Sequence, residues 1–150
     1  MWSHSCPLIR GFVQVFSNPG VSTVPKTYYL DNAFLNAALR NTAYTPQPVV
    51  YLALFTSTPG PGGGGTEVTG SGYGRQPVIF SAPVNGSTSN VSDITFPVAL
   101  ADWGTVTSFG IFETSSGGNL LYYSNLSAPR NILINDQARF PALQLVCSEA

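Results

Sequence analysis

Charge is what this sequence has least of. Six Lys and Arg and seven Asp and Glu make up 9% of 150 residues, and the formal net charge is −1. Ordinary soluble domains carry about 25% charged residues. A nucleic-acid binder would show a basic stripe, yet Lys26 is the only lysine. A disordered acidic tail would need charge that is not here. Long apolar runs are missing too. The longest, Val49 to Phe55, falls far short of the roughly 20 residues that span a bilayer. Arg10 is not followed by the roughly 7–15 apolar residues of a signal peptide. Direct nucleic-acid and membrane partners are therefore not expected. A surface this poor in charge has little to keep it monomeric; it suits a protein packed against other proteins.

Catalytic side chains are equally scarce. His4 is the only histidine, and Cys6 and Cys147 lie near opposite ends. Nucleophilic triads need a base beside the nucleophile, and zinc sites normally need four ligands. The two cysteines are either separate reduced thiols or a disulfide, which depends on a Cα separation that sequence does not give. Asp31, Glu67, Asp93, Asp102, Glu113, Asp136 and Glu149 are the seven acids, and their spacing does not suggest the paired carboxylates of a glycosidase. Gly62–Gly65 leads into Thr66-Glu67-Val68, without the lysine or helix of a phosphate loop. The glycosylation-type triplets at Asn85, Asn90 and Asn125 are what a chain rich in Asn and Ser produces by chance. The expectation is no enzyme, no cofactor and no metal.

Hydrophobic residues are present in ordinary amount, 43%, enough for one domain with a real core. Residues 1–27 show no sustained period and read as an extended N-terminal arm with one short strand. The arm's Trp2, Phe12, Val13, Val15 and Phe16 are too apolar for a solvated tail. They must be buried on the domain itself or on a neighbour, and they are the candidate partner interface. Residues 28–41 read as the one helix: Leu30, Phe34 and Ala38 recur every fourth residue, and Leu35 and Leu39 widen the stripe. Thr27 or Asp31 is the expected cap, and Thr45-Pro46-Gln47-Pro48 the stop.

From Val49 the pattern is β. Strands are expected at 49–56, 75–81, 91–98, 103–114, 120–125, 131–134 and 139–146, with Pro77 marking an edge or bulge and 115–119 a hairpin turn. Residues 58–65 read as a flexible glycine loop. The spacing predicts a mainly β fold, an antiparallel β-sandwich over 28–150 that includes the short N-terminal helix. Arg75 is either solvated and unpaired or joined by a guanidinium–carboxylate fork to Glu67 or Asp102, which would pin the long loop.

Several blocks occur in a telling order: Leu30–Thr45, Val50-Tyr51-Leu52-Ala53-Leu54-Phe55-Thr56, Gly65-Thr66-Glu67-Val68, Gly72-Tyr73-Gly74-Arg75-Gln76, Ile94-Thr95-Phe96-Pro97, Asp102-Trp103-Gly104-Thr105-Val106-Thr107, Phe109-Gly110-Ile111-Phe112 and Gly118-Asn119-Leu120-Leu121. Over residues 28–146 the chain resembles a family of small virion structural proteins of tailed bacteriophages. Members carry tail-fibre labels, and some similar β-proteins are capsid decoration (cement) proteins. The resemblance implies a virion location and brings no catalytic residues. About 27 residues precede the family-like region, and an apolar arm suits a protein that reaches a neighbouring subunit. The first expectation is a capsid decoration or cement protein that binds major capsid protein and copies of itself, as in a trimer. The alternative is a tail, adaptor or fibre component for host attachment, with the glycine loop and an exposed Tyr73 meeting a receptor glycan.

Overall fold

The computed structural model describes residues 11–17 and 24–149. Strand β2 (Val50–Ser57) organises the fold. Its Leu52, Ala53, Leu54 and Phe55 are all buried, so both faces are covered, as a continuous apolar run demands. Leu52 and Leu54 enter the main core. On the opposite face the Phe55 ring comes so close to Gly110 that a Cβ there would sit 2.8 Å from it.

Antiparallel to β2 runs β7 (Gly104–Phe112), followed by β8 (Leu120–Ile132). Gly117 and Gly118 (φ 62 and 70) turn the connecting hairpin in the left-handed region that glycine tolerates. The other edge of β2 is shared: β4 (Gln76–Val78) pairs with Val50–Leu52, and β3 (Thr66–Glu67) pairs with Phe55 and Ser57. Because β4 pairs with β2 alone, Pro77 lies on an edge, where its missing N–H costs no ladder bond.

A second sheet has the order β1 (Val13–Val15), β9 (Gln137–Phe140), β6 (Ile94–Thr95). A two-stranded ribbon joins β5 (Ser87–Ser89) to β10 (Val146–Ser148). Aromatic rings fill the sandwich between the sheets: Phe140 stacks on Phe16 at 5.3 Å and meets Phe109 edge-on at 6.2 Å, and Tyr73 stacks on Phe96 at 6.0 Å and meets Trp103 edge-on at 5.4 Å. Such pairs add to what area burial alone contributes. The β-sandwich is the architecture expected from the sequence.

Several boundaries differ, each for a physical reason. The pairing of β1 with β9 is parallel, the exception in an otherwise antiparallel fold. The stretches expected as separate strands at 120–125 and 131–134 are one strand, β8. Its register jumps, so that Val106 opposes Arg130 while Ser108 opposes Asn125, and the irregularity carries Pro129. The stretch expected as one strand at 139–146 is broken. Leu143 adopts φ 67 and is exposed, so the Leu143-Gln144-Leu145 alternation lies in a turn between β9 and β10. The strand expected at 91–98 is regular only at Ile94–Thr95, with single backbone bonds from Val91 N–H to Ile79 O and from Phe96 N–H to Ala138 O on either side.

Helix α1 (Tyr28–Leu39) ends two residues earlier than expected. Asn41 turns left-handed (φ 51), and Thr42 N–H reaches back to Asn36 O at 3.1 Å, a stop that asparagine accommodates. Thr27 holds the N-cap position, but its side chain does not cap. Its Oγ1 donates to Leu120 O at 2.6 Å and ties the helix start to β8. Leu30 is the helix's one buried residue, while Phe34, Leu35 and Leu39 remain exposed. The stripe expected to face a core is therefore largely on the surface.

Candidate interaction surface

The residues expected to meet a partner divide into three groups. Trp2 lies outside the described residues, as do His4 and Cys6. Phe16 is 2% exposed and belongs to the chain's own core. Phe12, Val13 and Val15 are exposed, at 68%, 51% and 47%. One short segment thus buries its last aromatic and leaves its preceding apolar residues in solvent.

Backbone geometry explains the division. Gln137 N–H donates to Phe12 O at 2.9 Å, and Phe16 N–H donates to Arg139 O at 2.8 Å. Residues 12, 14 and 16 therefore aim their peptide groups at β9. In a parallel ladder the alternate residues, Val13 and Val15, aim theirs away, and among the described residues β1 has β9 as its single strand neighbour. The result is an open strand edge. Asp136, 5% exposed, fixes the arm's entry: Oδ1 accepts from Phe12 N–H at 2.9 Å and Oδ2 from Leu133 N–H at 3.0 Å. Gly11 packs so tightly on the Asn135 carbonyl that a Cβ would lie 1.8 Å from it. The exposed Leu133 and Ile134 precede Asn135 in the same loop, so they extend the apolar surface of the arm.

A second cluster locks the glycine-rich segments together. Of the two arrangements open to Arg75, the fork forms, with Glu67: Nε to Oε1 at 2.8 Å and Nη2 to Oε2 at 2.9 Å. Nη1 donates to Thr114 O at 3.0 Å and Gly117 O at 2.7 Å. The guanidinium lies 3.5 Å over the Phe112 ring. Asp102, the other candidate, accepts instead from Ile134 N–H. Tyr73 is not an exposed contact residue. Its hydroxyl accepts from Leu54 N–H at 3.1 Å, in the gap between β3 and β4, and donates to Glu67 Oε1 at 2.9 Å. Burial, above all, raises the Tyr73 pKa.

Nor is the 58–65 loop loose. Gly60 and Gly63 exchange two 2.9 Å backbone bonds, Tyr28 N–H donates to Pro61 O at 2.8 Å, and Thr58 Oγ1 donates to Asn125 Oδ1 at 2.7 Å.

The remaining carboxylates also have structural partners. Asp93 binds Arg139 and the Ala142 N–H. The backbone bond, followed by the guanidinium, holds its pKa below the ordinary value. Glu149 accepts from Lys26 and from the Tyr122 hydroxyl, and Lys26 lies 3.7 Å from Asp31. Glu113 Oε1 accepts from the Asn119 N–H and side-chain amide, and Oε2 from the Tyr29 hydroxyl. Cys147 is a free, buried thiol. Burial first, then Glu149, pushes its pKa up to about 12.

Sequence reasoning missed Leu133 and Ile134, and also the Tyr29–Glu113–Asn119 contact. Its residues are 84 and 6 positions apart along the chain, and no local pattern joins them.

A comparison with curated proteins finds no match. The family model described as "Podophage GP4 fiber I protein gp80" matches residues 25–148. That span begins just before α1 and covers every strand but β1, so the arm lies outside it. This chain therefore belongs to the podophage GP4 fiber I protein gp80 family, a family of phage virion structural proteins.

Proposed function

We propose that the chain is a non-enzymatic structural subunit of a phage fibre or tail attachment, and that it docks through the arm edge. The fibre description of its family favours this reading over the shell-cement one. The observation that carries the docking mode is the open edge of β1, with Phe12, Val13 and Val15 exposed beside Leu133 and Ile134. A neighbouring strand that adds there gains main-chain bonds from Val13 and Val15 and apolar burial from the side chains. Further copies of this chain in a closed ring, such as a trimer, are the proposed first partner.

Quantitative mass spectrometry of purified particles tests the location. A few copies per virion is the expected result. A ratio near one per major capsid protein would replace this reading with a cement protein on the shell, bound to major capsid protein. The docking mode is tested by the mass of the purified protein in solution. Val13→Pro removes one outward N–H, and Val15→Lys places a charge at the edge. Both variants should shift the assembly to the single chain.

A further inference from the structure

We infer that the cleft beneath the glycine loop is a binding site for a neutral saccharide. It encloses about 470 Å³, within the roughly 300–1,000 Å³ typical of small-ligand sites. Phe55 and Phe112, stacked at 6.1 Å, form part of its wall, but Phe55 is buried and Arg75 lies over the Phe112 ring, so the aromatic ring open to a ligand is that of Tyr29. Tyr29 and the loop 61–65 line its sides, and Glu67 and Asn119 supply polar groups. A pyranose presents the same two chemistries, a C–H face and a rim of hydroxyls that both donate and accept.

The polar groups are held in place before any ligand arrives. Glu113 accepts from the Asn119 side-chain amide at 2.6 Å and from the Tyr29 hydroxyl at 3.3 Å, which fixes both side chains. Asn119 Oδ1 receives no donor among the described residues, so it is free to accept from a hydroxyl. Glu67 is clamped by Arg75 and Tyr73. A carboxylate has about four lone-pair sites, and those three donors leave room for one more. On the loop side, Gly62 and Gly64 are exposed, and their N–H groups find no acceptor among the described residues. The site thus offers both donors and acceptors around an aromatic surface.

Electrostatics select the class of sugar. Glu67 lines the cleft with its charge offset by Arg75, whose guanidinium is committed to it and to two carbonyls, and the lining residues include no cation. Phosphorylated, sulfated or uronic-acid ligands would find no free cation to pair with, whereas uncharged hexoses, 6-deoxyhexoses and N-acetylhexosamines need none.

The test is an amide-resolved NMR titration of the full chain. The probes are glucose, galactose, mannose, rhamnose and N-acetylglucosamine, with their linear trisaccharides. The expected result is that at least one of them moves the Gly62, Gly64 and Asn119 amides. Tyr29→Ala should weaken that ligand about tenfold, while Tyr29→Phe, which keeps the ring, should bind within about twofold. Tyr29 is 42% exposed, and an unchanged amide spectrum away from the cleft checks that each variant is folded. The inference is overturned if none of the sugars moves those amides, if the shifts map elsewhere, or if Tyr29→Ala binds like the parent. Preferential binding of glucose 6-phosphate or of an apolar peptide in the cleft would overturn it as well. Copy number in the virion does not bear on this result, so it stands or falls apart from the fibre reading.

Discussion

Arg75→Ala is the most informative single substitution. The Arg75 side chain is 9% exposed and that of Glu67 25%, so the pair lies between two measured regimes. Exposed ion pairs contribute about 0–1 kcal/mol. Breaking a buried pair by removing one partner costs about 3–5 kcal/mol. The alanine variant also strips the cation from the face of Phe112, worth about 0.5–2 kcal/mol, and frees the Thr114 and Gly117 carbonyls. Together these place the loss near 3 kcal/mol, with Glu67 still partly buried and bonded to Tyr73 alone. For a chain of this length each kcal/mol shifts the melting temperature by about 2–4 °C, so the variant should melt about 6–12 °C below the parent. Calorimetry or circular dichroism reads this directly. Arg75→Lys should recover little, because an ammonium does not reproduce the planar fork. Glu67→Gln combined with Arg75→Ala should cost less than the sum of the two, by about 1–3 kcal/mol. An alanine variant that melts within about 1 °C of the parent would refute the view that this cluster ties the glycine segments to the β7–β8 hairpin.

Other consequences follow from burial and ionisation. Phe16→Ala empties a site packed on Phe140 and should cost about 3–5 kcal/mol in denaturant unfolding, whereas Phe12→Ala, four residues earlier, should leave the single chain's stability within about 0.5 kcal/mol. The native Asp93 pKa is depressed, so its stabilising contribution is present above the unfolded pKa and lost as pH falls through the native one. Asp93→Asn should therefore lower the melting temperature at neutral pH, and the two curves should converge as the pH falls below about 4, the unfolded value, and through the native one. In a Cys6→Ser background, Cys147 should resist iodoacetamide at about pH 8 while folded and react readily in denaturant, since the buried thiol is almost fully protonated there.

What was legible in the sequence is what local pattern encodes. The run Val50–Phe55 forms the doubly covered strand that its unbroken apolar character suggests, and the Phe109-Gly110-Ile111-Phe112 stretch lies in its partner β7. The Arg75 fork was only half legible: Glu67, eight residues away, was one of two candidate partners, and an unpaired Arg75 stood beside them. The arm was less legible still. Its apolar content called for burial, but the choice of partner rests on a parallel pairing with β9, more than 120 residues along the chain. Two strands were expected in 120–134, on either side of a stretch that holds Pro129. An edge strand tolerates that proline, and the bulge absorbs it. At 143–145 the alternation was genuine and still misleading, since a backbone turn at Leu143 outweighs a two-residue pattern. The helix was found, but periodicity does not say what covers the stripe, and here most of it is uncovered.

The parallel attachment of β1 to β9 sets an order of events. During synthesis the arm leaves the ribosome more than 120 residues ahead of β9. Until β9 exists, Phe16 has neither its strand partner nor Phe140 to stack on. While the intervening chain is made, then, the arm is an apolar segment without its seat. When β9 forms, the same step that completes the small sheet also draws the first described residues onto the last quarter of the chain. Loop-closure entropy over such a span must be met before the contacts return anything. The arm is thus a latch that closes late, and its open outer edge comes into being only as the fold is finished. A docking surface made in that way is withheld from neighbours until there is a complete subunit to dock.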